Sequence, residues 1–179
     1  MAHRFAFALV TLLAAAAPAL SQQSAYADRA SQPIKALTPD EVAGYLAGAG
    51  MGFALAAELN GYPGPRHVLE LADSLGLDAE RRAAVQAVFD DMSATARRLG
   101  EAIVAAEAGL DSAFAGGRIT EGELADRVLG IAALRGRLRV AHLSAHLAVT
   151  DLLTPTERQA YQRLRGYGDG TAGGHDHRH

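Results

Sequence analysis

Between Thr38 and Gly166 the apolar positions recur every three or four residues, and no stretch alternates with the period of a strand. The clearest run is Val85, Phe89, Met92, Ala96, Leu99, Ile103, Ala106 and Leu110. Its steps of four and three predict a long helix, capped by Asp78 and ended near Ala115 by Gly116-Gly117. A second stripe follows at Leu124, Val128, Ile131, Leu138, His142, Ala145, Val149 and Leu152. It predicts a helix opened by a Thr120–Glu123 capping box and running to about Asp151. So short a connection implies that the two pack antiparallel. At 1.5 Å per residue they extend about 57 and 46 Å, more than the width of a domain of this size. The expected fold is therefore all-α: an elongated antiparallel helical hairpin with short flanking helices. Its exposed flanks imply a homodimer or a partner-binding face.

The flanks carry their own signals. Thr38-Pro39-Asp40-Glu41 is a helix start, with Pro at the first helical position. Val42 to Ala57 then holds no charge, and Gly44, Gly48 and Gly52 stand four apart, a spacing that lets another backbone approach if the helix continues. Asn60-Gly61-Tyr62-Pro63-Gly64-Pro65 is a turn, followed by a short helix over about Arg66 to Leu75. Thr154-Pro155-Thr156-Glu157 opens a last short helix ending near Gly166.

At the N-terminus, His3 and Arg4 precede an apolar stretch from Phe5 to Ala17, broken by Pro18. That length suits a signal-peptide core and is too short to span a bilayer. Cleavage is expected after Ser21, with Ala27 as the alternative, so residues 1–21 are read as a signal peptide and 22–37 as a flexible leader. Residues 38–166 form the helical domain, and 167–179 a disordered tail with His175, His177 and His179. The expected location is the periplasm, with no stable membrane span after cleavage. The chain has no cysteine, hence no disulfide, and its net charge of −3 argues against nucleic acid.

Chemistry concentrates in the histidines. His142 and His146 lie four residues apart, about 40° around a helix and roughly 6 Å along it, close enough to share one ion. The segment His-Leu-Ser-Ala-His lacks the glutamate that a zinc peptidase uses as general base, so hydrolysis is not indicated. Across the hairpin His142 faces the region of Ser93, which brings Asp90, Asp91 and Met92 within a turn. Imidazole with carboxylate suits zinc, cobalt or nickel; methionine tilts the set toward copper. His67, in the first turn of its short helix, is kept neutral there and is a further candidate. The His175, His177 and His179 tail is a second, weaker metal candidate. No nucleophile with a base and no phosphate-binding glycine loop is present, so no enzyme is expected.

The restart Leu153-Thr154-Pro155-Thr156-Glu157-Arg158-Gln159 resembles the Leu-Thr-x-x-Gln motif of the Spy/CpxP-like periplasmic proteins, which include zinc-resistance-associated proteins and cobalt-nickel resistance sensors. Leu77-Asp78-Ala79-Glu80-Arg81 stands where the first copy belongs, and the resemblance covers about residues 66–166. It implies an envelope-stress or metal-resistance protein that binds a divalent metal, unfolded periplasmic clients, or both. Alternatives are an ATP-independent chaperone without a specific metal, or a helical partner of an envelope sensor through the Gly44/Gly48/Gly52 face. In metal-sensing relatives the last long helix carries a His-x-x-x-Met pair. His142 falls at its start and His146 in the Met place; Asp90 or Asp91 takes the carboxylate place, and His67 one first-helix histidine.

Overall fold

The structure is a computed structural model and describes residues 24–167. Residues 1–21, read as a signal peptide, and the three tail histidines lie outside those residues. Six α-helices follow a single 3-10 turn at Ala27–Arg29, and no strand occurs among the described residues. They are α1 (Pro39–Ala47), α2 (Leu55–Glu58), α3 (Pro65–Glu70), α4 (Ala79–Ala115), α5 (Glu121–Leu152) and α6 (Pro155–Leu164). Among the described residues no helix is long and apolar enough to cross a membrane.

Local chemistry sets most of the boundaries. At α1 the Thr38 hydroxyl accepts from the Glu41 N–H at 3.2 Å, and the Glu41 carboxylate accepts from the Thr38 N–H at 2.7 Å. Thr154 and Glu157 repeat the reciprocal box at α6, with bonds of 3.3 and 2.8 Å. Asp78 Oδ1 accepts from the Arg81 N–H at 2.8 Å and starts α4. Each device satisfies N–H groups that a helix start otherwise leaves without partners. At α5 only half of the expected box forms. Thr120 accepts from the Glu123 N–H, but the Glu123 carboxylate turns to Arg127, one turn on.

Two expected helices are shorter than their sequences suggest. The uncharged run 42–57 is not one helix: α1 ends at Ala47 because Gly48 takes a left-handed conformation (φ 66°). Gly44, Gly48 and Gly52 therefore do not form a helical stripe; Gly48 packs on Ala96 and Arg97, and Met51 covers Gly44. The segment read as Arg66 to Leu75 is helical only over Pro65–Glu70 and continues as turns to Gly76.

α4 packs chiefly against α5, then against α1 and α3. Two apolar clusters hold the molecule together. One joins Val68, Leu77, Val85, Val149, Leu153 and Tyr161, and so ties α3 and α6 to the ends of the long helix pair. The other joins Leu37, Tyr45, Ala96, Ile103 and Leu138 beneath α1. Lys35, in the segment before α1, bonds to Asp111 at 2.9 Å. α1 sits so low on α4 that a Cβ added at Gly100 would lie 1.9 Å from the Tyr45 carbonyl oxygen. The first long stripe is confirmed: Val85, Ala96 and Ile103 are buried and its other members are half-buried. On α5 the stripe holds from Ile131 onward, whereas Val128 is 45% exposed.

Candidate functional site

Between α1–α3 and the long helix pair lies a cleft of about 250 Å³. Its apolar wall includes Met51, Leu55, Phe89 and Met92, and its polar wall Glu58, His67, His142 and His146. Ser93 also lines it, from α4.

His146 and His142 stand on α5, one turn apart. His146 is buried, although its angular position places it at the edge of the stripe. The cause is the Tyr62–Gly64 turn, which folds over it. His146 Nδ1 lies 2.8 Å from the Tyr62 carbonyl oxygen, so Nδ1 carries the hydrogen and donates it. A Cβ at Gly64 would approach His146 Cε1 to 2.9 Å, and only glycine lets the turn come so close. His142 is 4% exposed and its ring stacks on Phe53, with centroids 6.2 Å apart. Its Nε2 is buried and has no hydrogen-bond partner among the described residues. Burial, and secondarily the charge of His146, hold its pKa below the usual imidazole value, so the ring is neutral at physiological pH.

The residue that sequence reasoning missed is Glu58, the last residue of α2, 5% exposed. Its Oε1 accepts from the Tyr161 hydroxyl at 2.5 Å and its Oε2 from the Gly64 N–H at 3.2 Å. Around it stand His67 Nδ1 at 3.5 Å, His146 Nδ1 at 3.8 Å and Arg165 Nε at 3.4 Å. Burial, and then the bond to Glu58, push the Tyr161 phenol above its ordinary pKa and keep it a proton donor. One signal pointed to Glu58: it is the only charged residue between Glu41 and Arg66. A lone carboxylate in so apolar a segment is buried only with partners.

Of the sequence candidates, His67, His142 and His146 meet at this cleft. Asp90 and Asp91 do not: both are exposed on α4, and Asp90 accepts from Gln86. Among the described residues no three histidine or acidic side chains are already grouped to hold one ion. The arrangement instead combines a carboxylate whose two oxygens each accept a hydrogen bond with two imidazoles whose Nε2 atoms have no hydrogen bond among the described residues. Comparison with known proteins finds no match, whether to a family model, a curated protein or a solved structure.

Proposed function

We propose that this chain is an exported stress or metal-resistance protein of the Spy/CpxP-like type that binds a transition-metal ion in the cleft between α1–α3 and the long helix pair. The observation that carries this reading is His142 Nε2, buried, neutral and without a partner beside His146. A buried polar atom left unsatisfied costs about 1–3 kcal/mol, and a metal ion would recover that cost. The pairing of Val85 with the Val149 cluster, and of Glu107 with Arg135, supports an elongated antiparallel hairpin. In this reading the protein works in the periplasm as a homodimer, delivered by residues 1–21. Calorimetric titration of the full chain with zinc, nickel, cobalt and copper tests it, alongside His142→Ala/His146→Ala and a deletion of the tail. Binding that survives the tail deletion and disappears in the double variant is expected. Binding that disappears with the tail alone would remove the cleft from consideration.

A second reading is favoured by a different observation. Leu129, Val140 and Leu147 are 67, 60 and 54% exposed on α5. An apolar helix face of this kind suits unfolded clients or a second subunit. Suppression of aggregation of an unfolded client, with chelator and without nucleotide, is expected if clients bind there. Unchanged aggregation at stoichiometric protein would sink that reading, and light scattering gives the oligomeric state independently.

A further inference from the structure

Among the described residues Glu58 is the only carboxylate lining the cleft, and each of its oxygens already accepts a hydrogen bond. It accepts from Tyr161 and Gly64 and is flanked by Arg165 and two imidazoles. What remains for a ligand is imidazole nitrogen and sulfur. His142 contributes Nε2, which has no partner among the described residues. The Tyr62 carbonyl fixes the hydrogen of His146 on Nδ1 and so leaves the lone pair on Nε2, the arrangement seen when an outer carbonyl orients a ligating histidine. Sulfur comes from Met51 and Met92, which both line the cleft. The chain holds three methionines, the third being Met1, and no cysteine. Met51 keeps its place with a left-handed backbone (φ 43°), uncommon for a side chain other than glycine, and its thioether lies over Gly44.

Thioether and imidazole donors, beside a carboxylate that already accepts two hydrogen bonds, suit a soft ion of low charge; a divalent ion of harder character calls for freer anionic oxygen. We propose that the cleft is a cuprous site, in which His142, His146, Met92 and Met51 take Cu(I) and would take Ag(I) as its surrogate. The proposal rests on the metal-binding reading above and narrows it to one kind of ion.

The test uses the full chain with His175, His177 and His179 replaced by Ala, so that the tail contributes nothing. Cu(I) is titrated without oxygen against a chromophoric cuprous chelator, and zinc in parallel. Binding of Cu(I) tighter than zinc is expected. Met92→Leu and Met51→Leu conserve volume and so retain the fold, which circular dichroism verifies. Each is expected to weaken Cu(I) by roughly tenfold or more, the scale on which even outer-shell partners of a metal act, with the zinc isotherm unchanged. X-ray absorption of the copper-loaded protein should show a sulfur neighbour, which in a chain without cysteine can only be methionine. Wild-type Cu(I) affinity in both methionine variants, or a copper shell of nitrogen and oxygen alone, overturns the cuprous site. Zinc bound in the cleft as tightly as Cu(I) overturns it too, while leaving the metal-binding reading intact. No binding of either ion overturns both.

Discussion

α5 passes through two environments. From Leu138 to Val149 it buries Leu138, His142, Ala145, His146 and Val149; from Glu121 to Arg137 it buries Ile131 alone. The half near the cleft is enclosed by the segments before α4 and by α6, and the far half packs mainly on α4. Of the four buried polar side chains among the described residues, both histidines and Glu58 belong to the enclosed end; the fourth, Glu107, is held by Arg135 of the far half. A long helix pair alone is too thin to desolvate an imidazole; a third layer is needed. The metal reading therefore belongs to one end of the molecule and the client reading to the exposed face.

The glycines of the two regions should respond oppositely, and the largest effect is expected at Gly100. Its Cβ would lie 1.9 Å from the Tyr45 carbonyl oxygen and 2.6 Å from the carbonyl carbon, so Gly100→Ala must lift α1 off α4. Overpacking against backbone should cost about 3 kcal/mol in chemical denaturation. Unchanged stability would mean that α1 is held loosely, and the contrast between the two regions would fail.

Next is the hydroxyl that joins α6 to α2. Tyr161→Phe leaves the ring packed beside Val149 and Val85 but removes the donor to Glu58. A lost hydrogen bond to a buried carboxylate should cost about 2 kcal/mol. Tyr161→Phe should also leave Glu58 freer to meet a cation, so metal titration of this variant reports whether the carboxylate is held back from the ion.

The capping boxes extend the comparison to pH. Burial alone would raise the pKa of Glu157. The Thr154 N–H and hydroxyl, together with Arg81, outweigh it and hold the carboxyl below its ordinary 4.5. Because the folded pKa is depressed, this stabilisation is complete above pH 4.5 and is lost as pH falls through the folded value. Glu157→Gln should lower stability by about 1 kcal/mol at neutral pH and converge with wild type in acid. Glu123, which bonds Arg127 instead of completing its box, should show no comparable loss on substitution by Gln. Equal losses at Glu157 and Glu123 would contradict the difference between the two helix starts.

These starts were legible in the sequence because a cap is a contact across three residues. Thr38–Glu41, Asp78 and Thr154–Glu157 lie where the residue pattern puts them. The stripe from Val85 to Leu110 was legible for the same reason, since periodicity is local. Glu58 was not, because its main partner, Tyr161, is 103 residues away. The burial of His146 was not legible either, because angular position on one helix says nothing of a turn, Tyr62–Gly64, that folds over it. Asp90 and Asp91 were the complementary error. They are near His142 in pairing register, but a helix has more than one face, and register alone does not say which one points inward.

The smallest effect is expected at Gly136, in the far half of α5. A Cβ there meets nothing within 4 Å, and the residue is exposed in mid-helix. Gly136→Ala should raise stability by about 0.5–1 kcal/mol, the helix-propensity difference alone. The sign is what matters: the same substitution that displaces α1 at Gly100 should stabilise the chain at Gly136. A neutral or stabilising result in the monomeric protein fits an open face. If Gly136→Ala destabilises instead, and only at concentrations where light scattering reports a dimer, another backbone must come close to Gly136. The exposed face of α5, with Leu129, Val140 and Leu147, would then be the dimer contact and closed to clients.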